Sequence, residues 1–219
     1  MATTYKAGDR TKENIINETR KLLYSQGYSN TTYDDISNAA SINRALIPYH
    51  FKSKQLLGQT IYDEIIRQFL EHFDSILDIS EFTPDFVSIL HLTAYYQLLK
   101  DEHFSSFVYE LQADKEFSQF MAKTETELLE GLLSHGKLTE AEHTILIHSE
   151  IGMKKELFYL VHTTDIDVNE AAKLQLYMLL SYTGYSKKKI EDLYDSAMQV
   201  INMLSFRVTK DFRIDISFH

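Results

Sequence analysis

Apolar residues recur along most of this chain at the three-and-four spacing of an amphipathic helix. Ile15, Ile16, Thr19, Leu22 and Leu23 share one face of a helix expected over about residues 11–26, after a loose arm at about 1–9. Gly27 stops it. Thr31-Thr32 offers N-cap hydroxyls, with Asp34 and Asp35 in the next first turn, so a second helix is expected over about 33–40, burying Ile36, Ala39 and Ala40. Ser41-Ile42-Asn43 is a short turn, and Asn43 caps a third helix at about 44–50. Ser53 caps a fourth at about 54–77. Thr83-Pro84 pairs a cap with Pro at the first helical position, and helices follow at about 84–100, 102–112 and 115–135, the last closed by Gly136. Thr139 caps a long helix to about 164, and Asp167 and Ser186 cap the final two, about 168–184 and 187–205. In the tail at about 207–219, Phe212, Ile214, Ile216 and Phe218 alternate with the period of an extended segment. The pattern is that of an all-α protein.

Composition narrows the picture. Hydrophobic residues make up 44%, enough for a core, and only 2 Pro and 7 Gly interrupt the chain. Cys is absent, which excludes disulfides, thiolate metal sites and a Cys nucleophile. No signal peptide and no apolar run long enough for a membrane span stand out, so the expected location is the cytoplasm. The net charge of −10 argues against nucleic acid until its distribution is considered. Residues 1–54 hold 8 basic and 5 acidic side chains, and residues 55–219 hold 14 and 27. A mildly basic head on an acidic body is the asymmetry of a chain whose one end meets phosphate.

Two short helices joined by a turn, with small Ala39 and Ala40 at their closest approach, form a helix-turn-helix. On the second of these, Ile42, Ile47 and Phe51 are expected to face the core, with Asn43, Arg44, Leu46 and Tyr49 outward, placed for the major groove. Arg44 suits guanine, Asn43 adenine and Leu46 a thymine methyl. Lys52 and Lys54 flank the start of the fourth helix, where free N–H groups and the helix dipole favour a phosphate.

The residues themselves go further. Leu23-Tyr24-Ser25-Gln26-Gly27-Tyr28, Thr31-Thr32, Ile36, the run Ala40 to Phe51 and Ser53-Lys54 with Leu57 fall at the spacing of a known pattern. From Ile15 through Leu57 the chain resembles the DNA-binding domain of the TetR (tetracycline-repressor-like) family. The resemblance implies a homodimer on a double-stranded DNA operator, with an N-terminal three-helix helix-turn-helix domain at 9–69 (motif 32–51) and a larger helical ligand-sensing and dimerisation domain at 70–219. By position it implies phosphate contacts from Thr32 and Lys54, base reading by Arg44, Ala45 and Leu46, and places near the DNA backbone for Tyr49 and His50. Pro48 stands where the family has Tyr, which removes one phosphate contact and one helical hydrogen bond. Ser41 and Ala45 replace two usual Gly, and Asn43 replaces a usual Ser.

In the body, Ile190, Leu193, Ala197, Val200 and Leu204 form a coiled-coil-like seam. The helix beginning after Thr139 carries two apolar stripes, one of them containing Ile147, Ile151 and Phe158, with Glu150 and Lys154 between. Together they are expected to build an intersubunit four-helix bundle. The same periodicity also suits packing within one subunit. Tyr95, Phe104, Phe107, Phe120, Phe158, Tyr159 and Tyr177 are the candidate lining of a pocket for a small-molecule effector. No His spacing matches a metal site, so neither metal nor cofactor is expected. No phosphate loop, dinucleotide fingerprint or nucleophile elbow appears, and the scattered acids read as solvated faces, which disfavours an enzyme. The expected function is a ligand-released repressor on a palindromic operator. The alternative is an interaction protein that kept the fold and lost DNA reading, to which Pro48 points.

Overall fold

A computed structural model describes residues 2–113, 117, 120 and 138–219. α1 (Ala2–Gln26) begins earlier than the sequence pattern indicates. Residues 2–9 contain no Pro, and the lone Gly8 costs a helix only about 1 kcal/mol, so the expected arm continues as helix. α2 (Tyr33–Ala39), α3 (Leu46–Phe51) and α4 (Lys54–Leu77) follow, then a 3₁₀ turn at Ile79–Glu81. The body continues with α5 (Pro84–Leu98), α6 (Glu102–Gln112), α7 (Glu140–Thr163), α8 (Val168–Tyr182) and α9 (Lys187–Ile201), which take their labels from the described residues. The helix expected over about 115–135 lies outside the described residues except at Phe117 and Phe120.

Most boundaries are set by local caps. Thr32 and Thr139 each complete a capping box, with Asp35 and Glu142, and Ser53, Asp101, Asp167 and Ser186 each accept a backbone N–H. α5 is apolar nearly all round and is covered nearly all round, packing on α8 and α9. α4 is continuous from the head into the body, so the two share one element.

The end of the chain departs from an all-helical plan. α9 stops at Ile201, and β1 (Leu204–Val208) pairs antiparallel with β2 (Ile214–Phe218), Phe206 opposite Ile216. Leu204, expected on a helical seam, is therefore a strand residue. The alternation seen in the tail belongs to this hairpin, with Ile216 buried and Phe218 exposed. Phe212 sits in the turn with φ 52 and is fully buried against Phe107, Tyr24 and Phe104, at ring separations of 5.2, 5.4 and 6.3 Å. Phe206 lies 6.5 Å from Phe69 and 6.4 Å from Phe73 on α4. The hairpin thus packs against both the first helix of the head and the first helix of the body.

Candidate nucleic-acid interface

The head is held by Ile15, Leu23, Ile36, Ala40, Ile47, Phe51 and Leu57, all buried; Ala39, expected inside, faces solvent. Ile47 and Phe51 form the inner face of α3. Ala45, Pro48, Tyr49 and Lys52, spaced three, four and seven apart, form the exposed outer one. Among the described residues Tyr49 is the most open of the large hydrophobic side chains, 78% exposed. Leu46 is only half-buried, and Asn43 and Arg44 stand exposed in the turn ahead of the helix.

α3 starts two residues later than the sequence pattern indicates, and Pro48 explains it. Having no N–H, Pro48 leaves the Arg44 carbonyl without its helical donor. That carbonyl instead accepts from the Ile47 N–H at 3.2 Å, a tighter 3₁₀-type bond, and the Asn43 carbonyl accepts from Leu46 at 2.9 Å. Asn43, expected to cap the helix, instead closes the turn before it, its side chain accepting from the Ala45 N–H at 2.9 Å; the N-cap position of α3 is Ala45, with no side-chain cap bond. Pro48 itself falls in the first turn of α3, where a missing donor costs little. Of the two positions where the resemblance expects Gly, only Ser41 needs one. Ser41 has φ 53, whereas Ala45 is ordinary right-handed backbone at φ −63.

Two of the cations are already engaged. Arg44 Nη1 donates to Asp34 Oδ1 at 2.9 Å and Oδ2 at 3.2 Å, with both side chains more than half exposed. Lys54 Nζ donates to the Ser29 carbonyl at 3.4 Å and lies 4.5 Å from the Tyr28 ring centroid. Desolvation there lowers its pKa, against the opposing pull of Glu110 and Asp35. Glu110, on α6, also accepts from the Ser29 N–H at 2.6 Å, so a body residue fixes the turn on which Lys54 rests. No sequence spacing pointed to Glu110. The Thr32 hydroxyl donates to Asp35 at 2.7 Å while accepting its N–H at 3.2 Å. His50 is half-buried, its ring 5.0 Å from Tyr49 and 6.3 Å from Phe51. Lys52 is exposed at φ 61, past the end of α3.

This arrangement has known counterparts. Residues 15–58 match the profile of the bacterial regulatory proteins of the tetR family. The head therefore carries a segment of the tetR-family type. It is 28% identical over 88 residues to the biofilm operon icaADBC HTH-type negative transcriptional regulator IcaR of Staphylococcus aureus strain Newman, covering 40% of this chain and 43% of that protein. The chain thus spans less than half the length of the curated relatives it matches. Two solved structures share the fold. RolR in complex with resorcinol has TM-score 0.63 at 15% identity, covering 87% of this chain and 95% of that one. SmeT, the repressor of the Stenotrophomonas maltophilia multidrug efflux pump SmeDEF, has TM-score 0.57 at 18% identity, covering 82% and 92%.

In the body, the expected pocket residues divide. Tyr95 stacks on Phe158 at 5.4 Å and meets Phe104 at 6.2 Å, while Phe107 joins through Phe212. The Tyr95 hydroxyl lies 3.0 Å from that of Tyr62, and Lys154 Nζ stands 5.2 Å from the Tyr95 ring. Tyr62 reaches Phe117, and Phe117 reaches Phe120. Tyr159 instead lies on the surface beside Tyr109, and Tyr177 points to Lys187 on α9. One acid is no solvated face. Glu150 is buried and accepts from Gln175, whose carbonyl accepts from Tyr96 at 2.5 Å, joining α7, α8 and α5.

The expected dimer residues are placed as follows. Ile147, Phe158, Ile190 and Ala197 are buried within the single chain; Ile151, Leu193 and Val200 are half-buried. Leu174, Met178 and Tyr182, each four residues apart on α8, remain exposed, as does Ile145 on α7. Ile145, Met178 and Tyr182 line a groove of about 160 Å³ with Leu146 and Met153. Among the described residues, no helix is long and apolar enough to cross a membrane, and no group of three metal-ligating side chains converges.

Proposed function

We propose that this chain is a sequence-specific DNA-binding transcriptional regulator, a repressor that binds a palindromic operator as a homodimer in the cytoplasm and releases it when a small-molecule effector occupies the body. The observation that carries the reading is the outer face of α3, with Asn43, Arg44, Ala45 and Leu46 at its start and Thr32, Tyr49, His50, Lys52 and Lys54 around it, inside the family match. Asn43 and Arg44 project from the helix's N-terminal turn, the part that meets base edges in this motif. Arg44 is held by Asp34 through an exposed pair worth roughly 0–1 kcal/mol, less than the ~1–3 kcal/mol of a bidentate guanine contact, so DNA draws it away.

The effector reading rests on the Tyr62–Tyr95 hydroxyl pair set among Phe104, Phe158 and Lys154, an aromatic centre with polar tips. The dimer reading rests on the exposed row of Leu174, Met178 and Tyr182, apolar surface that a second copy would remove from water. The test is selection of bound sequences from a random duplex library at low and physiological salt. A palindrome is expected, with Arg44→Ala relaxing preference at one position of each half-site and Lys54→Ala weakening all sequences alike. No enrichment at either salt would overturn the reading in favour of an interaction protein.

A further inference from the structure

Between α1, α4 and the turn of the hairpin lies a polar cleft of about 580 Å³, separate from the helix-turn-helix face and from the aromatic centre of the body. Its floor holds Ile16 and Arg20, and Arg20 is only 5% exposed. A guanidinium carries five donors and, when buried, needs an acceptor or a counter-charge. Among the described residues Arg20 makes one hydrogen bond, from Nη2 to Gln68 Oε1 at 3.2 Å, and its Nε is buried with none of them as a partner. Glu64 and Asp211 are near enough to favour its charge, yet neither forms an ion pair with it, and burial outweighs them in lowering its pKa. Asp211 is taken by Arg213 at 3.0 Å and by Thr209 at 2.6 Å.

We propose that this cleft is a binding site for a monoanionic carboxylate, seated on the Arg20 guanidinium and met at the rim by Arg213 and Lys12. The planar fork of an arginine matches two carboxylate oxygens side by side. The rim sets Lys12, Arg67 and Arg213 against Asp9, Glu13 and Glu64, so the mouth is close to neutral. The single positive charge on the floor is matched by a single negative one, whereas a doubly charged phosphate gains only in proportion to its charge while its desolvation cost grows more steeply. An occupant would touch α1 of the head, α4 and the hairpin together.

The full-length protein, without DNA, is titrated with sodium acetate against sodium chloride at fixed ionic strength. The Arg20 Nε–Hε cross-peak and the melting temperature are followed. The expected result is a saturable shift of that cross-peak and a rise of a few degrees in melting temperature, with inorganic phosphate giving less. Arg213→Ala, on the exposed rim, should require several-fold more acetate, and Arg20→Gln should lose the response. A shift that follows ionic strength alone, a response equal or stronger with phosphate, or the same stabilisation in Arg20→Gln overturns the proposal. Should Arg20→Gln fail to fold, the cross-peak and Arg213→Ala decide.

Discussion

Ser41 turns the chain between α2 and α3 in a left-handed conformation that glycine adopts without a Cβ clash. Ser41→Gly should therefore raise unfolding stability by about 1 kcal/mol in urea denaturation, while Ala45→Gly, at an ordinary φ, should not. Asp34 makes a second prediction at this scale. On the proposed function it competes with DNA for Arg44 and adds a negative charge beside that residue. Asp34→Ala should tighten binding to the selected operator several-fold at low salt, an effect that fades as salt rises. Unchanged affinity at low salt would mean that Arg44 does not leave Asp34 for DNA. The caps were legible in the sequence because a cap is a matter of neighbours: Thr32, Ser53, Thr139, Asp167 and Ser186 all sit where the residues indicate. The partners of Arg44 and Lys54 were not, because Asp34 lies on another helix and Glu110 is far along the chain.

Helices were readable for a similar reason, since periodicity and caps act within a few residues. The exceptions mark non-local decisions. Pro48 rewrites the hydrogen bonding of its own first turn, and α3 shortens. The period-two tail is extended, as its alternation indicates, but its fold-back on β1 depends on a partner strand and on the aromatic floor beneath it. The same dependence makes the hairpin sensitive. Phe212→Ala removes a fully buried ring from between α1 and α6, and should cost about 3 kcal/mol or more in urea unfolding. Phe218→Ala, an exposed side chain at the end of β2, should cost little.

At the scale of the whole molecule, periodicity identified which helices have two apolar sides without saying which side the subunit itself would use. Ile147, Phe158, Ile190 and Ala197 are consumed by the chain's own core, leaving Leu174, Met178 and Tyr182 outward on α8. Met178→Glu should accordingly shift a dimer toward monomer in sedimentation and weaken operator binding, with little change in the helical signal of the isolated chain. A dimer of unaltered strength would place the interface elsewhere. The hairpin also bears on the order in which the molecule is made. Phe212 fills the space between Tyr24 on α1 and Phe104 and Phe107 on α6, so α1 is joined to the body by a segment synthesised long after it. While the ribosome still holds the hairpin, the head has its three helices, α4 and the Glu110 contact but not the Phe212 one, and domains that fold as they emerge do so from the N-terminus. Until residues 204–218 have emerged and folded back, Tyr24 and the α6 rings are without the side chain that fills the space between them.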